Sequence, residues 1–417
     1  MKKLVLFLAC SSLLAPCAFA QMSVVKQASK DISGMDVKIE TYKSALNNLK
    51  PALTNAESKG LAETWFTAGK ASFGIYDKMM GQKAIGQKPD AKEMANALLD
   101  GYDYLVKALP LDSVGETEKD GSPKIDKKTG KQKVKTKFSK DIINMISGHV
   151  NDFSQAGSDF YEAKDWANAA KCWDIFASMP QTGYLKDTKV NIPDSIIGQV
   201  RFYQGIAAWQ GENYKGAVDA FAKARKSGYL KKEAFDYAIQ CYAGMKDDAG
   251  IVQMAKEALP VFGKTDMQYV RIIINDLMNK QNYDEANTYV DQAISMNANN
   301  AELQDLKGIL LENQKKDIEA ALPYYKKSIE INPEYAKGLF DVGRYYFNKA
   351  VKARDNNPNL TGAALAKVVN PFYTQALPYM EKAYQLDKEN TDAKTALRGI
   401  YYALNMGDKL NALDASK

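Results

Sequence analysis

The sequence has little of the chemistry that most catalytic and redox sites need. Its 417 residues contain one histidine, His149, and four cysteines, of which Cys10 and Cys17 lie within the first 20 residues. A lone histidine has no second histidine with which to share a metal or relay a proton, and the two remaining cysteines, Cys172 and Cys241, are too few for a disulfide framework. We therefore expect His149 to be a packed or surface residue and both later cysteines to be buried thiols.

The short motifs of nucleotide, metal and nucleophile sites are also missing. The sequence contains no Gly-x-x-x-x-Gly-Lys-Ser/Thr, no His-Glu-x-x-His, no Gly-x-Ser-x-Gly and no Cys-x-x-Cys. A faint calcium-loop pattern at Asp355, Asn357 and Asn359 has Leu360 where that loop requires glycine. The sequence thus predicts no enzyme, no cofactor and no metal site, and an enzymatic alternative would need two carboxylates that converge at a groove.

Long apolar runs are absent after the N-terminus, where a short one extends from Leu4 to Leu14. This run follows two lysines and precedes Ala18-Phe19-Ala20, a pattern typical of a secretory signal peptide cleaved after Ala20. We expect export to the periplasm of a Gram-negative cell, with outer-membrane association open and no transmembrane segment. A lipid anchor on Cys10 or Cys17 is the alternative that the residues leave open.

Positive charge is concentrated in one segment. Residues 119–140 contain nine lysines and two aspartates, whereas the whole chain has a net charge of +6. Because the rest of the chain lacks a basic stripe, nucleic acid is not an expected partner. The alternating Lys133–Phe138 stretch and the preceding Ser122–Asp126 predict a projecting two-stranded ribbon.

Two functions of this ribbon remain open. It is either a solvated insertion whose lysines prevent edge pairing or a cationic arm for an anionic surface. The lysines of such an arm would be Lys127, Lys128, Lys131, Lys133, Lys135 and Lys137.

A helical unit occurs twice between Gln281 and Tyr346, with every matched pair 35 residues apart. Small residues and large apolar residues alternate at helical spacing in both copies, and a third copy of the later half begins at Ala376. The matched positions are Tyr283, Ala286, Val290, Ala293, Ile294 and Asn297 in the first copy and Ile318, Ala321, Tyr325, Ser328, Ile329 and Asn332 in the second.

These spacings resemble those of the tetratricopeptide (TPR) repeat family, whose units are helix pairs of about 34 residues. The resemblance implies an all-α fold, a right-handed α-solenoid of antiparallel helix pairs, here of about seven repeats with a small lysine-rich β-ribbon or loop insertion. It also implies binding of other proteins or peptides, in most members on the concave face. Carried over to this sequence, the partner-binding positions are Phe202, Ile206, Trp209, Arg271, Asn275, Phe340, Arg344 and Phe347.

Local signals predict the boundaries of several helices. The stripe from Ile142 to Phe160 predicts one long helix that Ser139 caps. Pro323 and Pro378 predict second helices that begin no more than about four residues before each proline.

Repeat spacing and composition predict eight segments along the chain. They are a signal peptide (1–20), an N-terminal helical segment (21–59), an interrupted repeat (60–113), a lysine-rich insertion (114–139), a repeat (140–180), consecutive repeats (181–349), a second insertion (350–370), and a last repeat with a C-terminal cap (371–417).

The resulting functional hypothesis is a non-enzymatic scaffold or adaptor of the bacterial cell envelope that binds partner proteins in the solenoid groove. The alternative is an envelope-assembly or membrane-peripheral factor that contacts anionic partners through residues 119–140.

Overall fold

A computed structural model describes residues 15–186, 188, 190–229, 231–315 and 318–415. Residues 1–14 of the predicted signal peptide lie outside the described residues, and for 15–20 only the helical backbone is described. None of the helices in the described ranges is both long enough and apolar enough to cross a membrane. The chain divides into two compact units, unit 1 up to Lys246 and unit 2 from Asp247.

Unit 1 consists of antiparallel helices packed in consecutive pairs around clusters of buried apolar residues. Its helices are α1 (Ala15–Asp31), α2 (Ile39–Thr54), α3 (Ala62–Ala84), α4 (Ala91–Leu111), α5 (Ser139–Gly148), α6 (Asp152–Glu162), α7 (Trp166–Ser178), α8 (Asp194–Gln210), α9 (Tyr214–Lys226) and α10 (Lys232–Gly244). Short 3-10 turns occupy Ser58–Gly60, Met179–Gln181 and Gly183–Leu185.

Unit 2 has the same arrangement of neighbouring helices. Its helices are α11 (Asp248–Phe262), α12 (Gln268–Asn279), α13 (Tyr283–Met296), α14 (Ala301–Lys315), α15 (Ile318–Ile331), α16 (Ala336–Asp355), α17 (Gly362–Leu386), α18 (Thr391–Ala403) and α19 (Gly407–Ala415). Within each unit the predicted fold class, helix pairs of the TPR type with a small β insertion in the first, is confirmed.

A repeated turn joins the two helices of a pair. Glu212 adopts φ +57°, and Asn213 then caps α9 through its side chain, which accepts a hydrogen bond from Gly216 N. The backbone N–H of Asn213 also donates to Ala208 O at 2.8 Å, which satisfies a carbonyl at the end of α8. Gln281 and Asn282 repeat this turn before α13. A left-handed residue followed by Asn or Asp therefore reverses the chain in both units.

Glycines on first helices allow the two helices of a pair to approach closely. A Cβ at Gly205 of α8 would lie 2.5 Å from Phe221 Cε1 on α9. In unit 2, Gly308 of α14 meets Tyr325 of α15 in the same manner, also at 2.5 Å. The ring of the second helix therefore occupies the space of the missing side chain, and this contact sets the helix spacing within each pair.

The predicted long helix from Ile142 to Phe160 is wrong, because the chain breaks into α5 and α6 around His149. The break lets α5 pack on α4 and on the 3-10 turn at residues 183–185, while α6 packs on α4 and α7. His149 itself is packed, as expected: its Nδ1 lies 2.8 Å from Asp152 Oδ2 and its ring contacts Phe73 edge-on.

The predicted cap of α5 by Ser139 is also wrong. Asp112, buried at the end of α4, performs this function from 25 or more residues away. Its carboxylate accepts hydrogen bonds from the backbone N–H groups of Lys137, Phe138 and Ser139 and from Ser139 Oγ at 2.7 Å. Burial alone would raise the pKa of Asp112, but these hydrogen bonds hold it below its usual value. Asp112 thereby closes the base of the lysine-rich insertion.

The insertion contains the predicted ribbon, in which Lys133 N donates to Lys124 O at 2.7 Å, and it adds a strand that was not predicted. Its strands are β1 (Val114–Gly115) and β2 (Val134–Lys135), which pair antiparallel. A third segment joins them, since Ile125 bridges to Gln132 and Lys124 N donates to Glu116 O at 2.9 Å. The ends of the insertion must therefore pair with each other, which a local alternation pattern does not reveal.

Pro378 lies deep inside α17, so the expected start of that helix close to Pro378 is wrong. The helix begins at Gly362 and contains Pro371 as well. Buried Val369 and Tyr373 pack this early part of α17 into the unit 2 core. Tertiary packing therefore outweighs the cost of proline in a helix interior, about 3 kcal/mol.

Candidate functional site

A cavity rich in aromatic residues lies in unit 1, where the first helices of three successive pairs come together. It has a volume of about 560 Å³. We call it the aromatic groove, and it is lined by Ser158, Tyr161, Glu162, Trp173, Phe202, Tyr203, Ile206, Glu233 and Tyr237. These residues belong to α6, α7, α8 and α10, so the groove follows the stacking direction of the helix pairs.

Trp173 forms the floor of the groove because α6 provides a glycine opposite it. A Cβ at Gly157 would lie 2.5 Å from Trp173 Nε1, and this nitrogen donates a hydrogen bond to Ser154 O at 3.1 Å. The indole is therefore held flat against α6 with its polar atom satisfied. A rigid aromatic floor loses little side-chain entropy when a ligand binds.

The walls are a continuous series of rings. Tyr161 lies 5.8 Å from Trp173 and Trp173 lies 5.9 Å from Tyr203, measured between ring centroids. Phe202 continues the series at 6.3 Å from Tyr237. Ring faces and edges thus line one side of the cavity from α6 to α10.

Two of the three predicted residues of α8 line this groove, and the third lies behind one of its rings. Phe202 and Ile206 line it directly, and Trp209 contacts the Tyr237 ring edge-on at 5.0 Å. Tyr161 and Glu233 are among the lining residues that the sequence interpretation missed. Tyr161 and Tyr237 lie at helical spacing from small residues, as core aromatic residues also do. The sequence therefore did not distinguish them as groove residues.

The predicted residues of α12 lie in unit 2. Arg271 forms a two-bond ion pair with Glu302, in which Nη2 donates to Oε2 at 2.7 Å. The hydrogen bonds with Glu302 raise the pKa of Arg271 above its ordinary value. Asn275 is exposed on the same helix. Because Glu302 already holds Arg271, a partner carboxylate would have to replace an internal one.

Arg344, predicted as a second groove cation, is held in a network inside unit 2. Its guanidinium donates to Glu312 Oε1 at 2.7 Å, to Glu312 Oε2 at 2.8 Å and, through Nε, to Asp341 Oδ1 at 3.0 Å. Phe340 and Phe347 of the same helix pack against the C-terminal core, with Phe347 5.5 Å from Tyr373. The assignment of these residues to partner binding stays a prediction.

A buried pair of aspartates lies beside this network. Asp305 of α14 is fully buried and accepts a hydrogen bond from Lys337 Nζ at 3.0 Å. Burial and the neighbouring Asp341 raise the pKa of Asp305 to about 7, although Lys337 opposes the shift. Both carboxyl groups are almost completely buried, so a substrate would have no approach to them. Asp305 therefore keeps its proton at pH values where an exposed aspartate has lost it.

The six lysines predicted for an anionic surface are all exposed on the insertion. Lys124, which lies outside that set, forms an ion pair with Glu116 at 2.8 Å. The Asp112 clamp fixes the insertion to α4 and α5, so its lysines project from a defined base.

Cys172 and Cys241 are free and buried in unit 1, which confirms the expectation of buried thiols. Burial raises the pKa of Cys172 to about 12 and that of Cys241 to about 11. Thiols with such values are unreactive at neutral pH.

Three solved structures are among those similar to this chain. A TPR repeats protein, BF2334 from Bacteroides fragilis NCTC 9343, has 17% identity over 61% of this chain and 98% of its own, with a TM-score of 0.31. TTC0263, a thermophilic TPR protein from Thermus thermophilus, has 12% identity over 50% and 98%, with a TM-score of 0.30. MamA has 16% identity over 45% and 96%, with a TM-score of 0.31.

A search of curated proteins finds no match to this chain. Residues 273–336, which comprise most of α12 to α15, match the family model of the tetratricopeptide repeat. The match includes both copies of the unit first seen in the sequence, and the same glycine-to-ring contacts and Asn-capped turns occur in unit 1. Residues 273–336 of the chain therefore belong to the tetratricopeptide-repeat family.

Proposed function

We propose that this protein is a non-enzymatic scaffold or adaptor of the bacterial cell envelope, and that it holds partner proteins through the aromatic groove of unit 1. The TPR fold is a protein–protein interaction scaffold. The observation that supports this particular site is an open cavity of about 560 Å³ whose walls are aromatic rings on successive first helices. Rigid aromatic side chains in a concavity are the anchors on which protein interfaces depend most.

The groove fits an extended segment or a single partner helix better than a flat surface. Its lining residues extend from α6 across α8 to α10, so a partner segment would contact several helices in turn. Tyr203 is 43% exposed although it lies in the series of rings, which leaves apolar surface for a partner to cover. The envelope assignment rests on the signal-peptide pattern of residues 1–20.

The test is a photocrosslinking amino acid at position 203 of the full chain in source cells, with position 402 as the control. Tyr402 is a 78% exposed aromatic residue outside the groove. We expect discrete crosslinked partners from position 203 that disappear when Phe202 and Ile206 are replaced by alanine, and none in common from position 402. The tagged chain should also be released with periplasmic contents and begin at Gln21.

Identical crosslinks from positions 203 and 402, or crosslinks that survive the Phe202→Ala/Ile206→Ala change, would remove the groove from consideration. A chain retained in the cytoplasm would refute the envelope assignment without affecting the groove.

The second candidate is contact with an anionic partner through the insertion. It is favoured by the arrangement of six exposed lysines on a backbone held at its base by Asp112. Near an anionic membrane each lysine contributes about 1 kcal/mol of attraction at the surface.

Vesicles containing anionic lipid should therefore retain the protein at low salt and lose it when Lys127, Lys128, Lys131, Lys133, Lys135 and Lys137 are changed to glutamine. A matched control replaces six exposed lysines elsewhere: Lys26, Lys50, Lys59, Lys88, Lys215 and Lys264. Equal retention of the insertion variant and the control variant would exclude a specific arm.

A further inference from the structure

We propose that the aromatic groove of unit 1 binds a lysine or arginine side chain of the docked partner segment. This inference rests on the proposed function, since it specifies the chemistry of a partner at the same groove. It is supported by the two carboxylates at the groove, by rings that no cation of the described residues covers, and by the position of Glu162 on its helix.

Two glutamates line the groove without partners of their own. Glu162 and Glu233 are exposed, and neither has a hydrogen bond or an ion pair with another side chain in the part of the chain that the structure describes. Lys232, the next residue to Glu233, is held by Asp236 at 2.7 Å. A purely apolar ligand would cover both carboxylates and strip their water without compensation. A cationic side chain would compensate both.

The position of Glu162 strengthens this argument. It is the last residue of α6, where the carbonyl ends of the helix already produce a negative potential. A carboxylate is unfavourable there and a cation is favourable. Glu233 lies in the first turn of α10, where a carboxylate stabilises the helix, so its presence is partly explained without a ligand. Glu162 is therefore the stronger evidence for a bound cation.

The rings of the groove have no cation of the described residues over them, in contrast to many other rings of this protein. The chain places its own cations over aromatic faces repeatedly, for example Lys107 over Trp65 at 4.6 Å and Lys388 over Tyr384 at 4.5 Å. Among the described residues, no lysine or arginine of the chain covers a ring that lines the groove. These electron-rich faces therefore remain available to a cation supplied by a partner.

The groove can satisfy both parts of such a side chain. The methylene groups of lysine or arginine pack on Ile206 and Phe202, and the charged end reaches toward the carboxylates and the faces of Tyr161 and Tyr203. An arginine guanidinium also stacks on aromatic rings, which favours it over lysine.

The experiment uses the full chain and two small probes, N-acetyl-arginine methylamide and its neutral analogue N-acetyl-citrulline methylamide. The two have nearly the same shape and differ in charge. Binding is followed through the indole N–H signal of Trp173, which is assigned from a Trp173→Phe variant. We expect the arginine probe to bind at least about tenfold more tightly than the citrulline probe.

The variant Glu162→Gln/Glu233→Gln should lose this preference and retain the fold, since both side chains are exposed. The matched control Glu40→Gln/Glu57→Gln removes the same net charge from exposed positions outside the groove and should keep the preference. Equal binding of the two probes by the natural protein, or a preference that survives in the groove variant, would overturn the inference. If crosslinked partners at position 203 persist in that case, the groove is still a protein-binding site and only the cation is wrong.

Discussion

Truncating Phe221 to alanine should lower the free energy of unfolding of unit 1 by about 3–5 kcal/mol. Phe221 is completely buried on α9, where its ring fills the space above Gly205 and lies 5.7 Å from the Phe202 ring. Removing the ring leaves a cavity between α8 and α9 directly beneath the aromatic groove. Hydrogen exchange of the α8 and α9 backbone amides in the full chain measures the loss.

Gly205→Ala tests the same contact from the other helix. Alone, this change should lower the free energy of unfolding of unit 1 by about 1–3 kcal/mol, because the new Cβ would lie 2.5 Å from Phe221 Cε1. In a Phe221→Ala background the same change should be neutral or stabilising, since the Cβ then enters free space and alanine favours a helix by about 1 kcal/mol over glycine.

The matched control is Gly81→Ala, an exposed position in α3 with no atom within 4 Å of the new Cβ. It should stabilise α3 slightly in either background. An additive double variant would show that the Gly205–Phe221 contact does not set the spacing of α8 and α9.

Replacing Arg344 by methionine should destabilise unit 2 by about 3 kcal/mol at pH 8. The change leaves Glu312 and the buried Asp341 without the guanidinium that binds both. Methionine keeps much of the side-chain volume, so the loss reports charge rather than packing. Hydrogen exchange of α14 and α16 gives the measurement.

The loss of stability caused by Arg344→Met should be smaller at pH 5 than at pH 8. There the raised pKa of Asp305, about 7, leaves that carboxyl protonated, so the Asp305–Asp341 pair carries less negative charge. In the natural protein the unfolded chain has already released this proton at pH 5, whereas the folded one keeps it. Unit 2 should therefore lose stability as pH rises from about 4 to about 7, and Asp305→Asn should flatten that slope.

Arg354→Met is the control, because Arg354 is exposed and its only ion pair among the described residues is with its neighbour Asp355. Its effect should stay below about 1 kcal/mol at both pH values. If Arg344→Met were equally mild, the network would be a surface ion pair and Arg344 would be free to meet a partner. Charge reversal at Arg344 would then be a valid probe of partner capture.

The sequence by itself determined the repeat and its class of fold. Ala286, Val290 and Ala293 recur 35 residues later at the same helical spacing, and a pattern of that kind is local to one chain segment. The Asn282 cap of α13 also acts within a few residues of its own position, but the sequence interpretation did not name it. The choice of Phe202, Ile206 and Trp209 came from the resemblance to the TPR family, and their role in partner binding stays a prediction.

Only the tertiary structure decided the contacts between residues far apart in the chain. The clamp between Asp112 and Ser139, the extension of α17 past two prolines, and the meeting of Glu162 with Glu233 at one groove all depend on how helices stack. Helical periodicity states which face of a helix is apolar, but it contains no information on which distant side chain that face will meet. Helix packing brings aromatic rings and two carboxylates, unpaired among the described residues, to one groove.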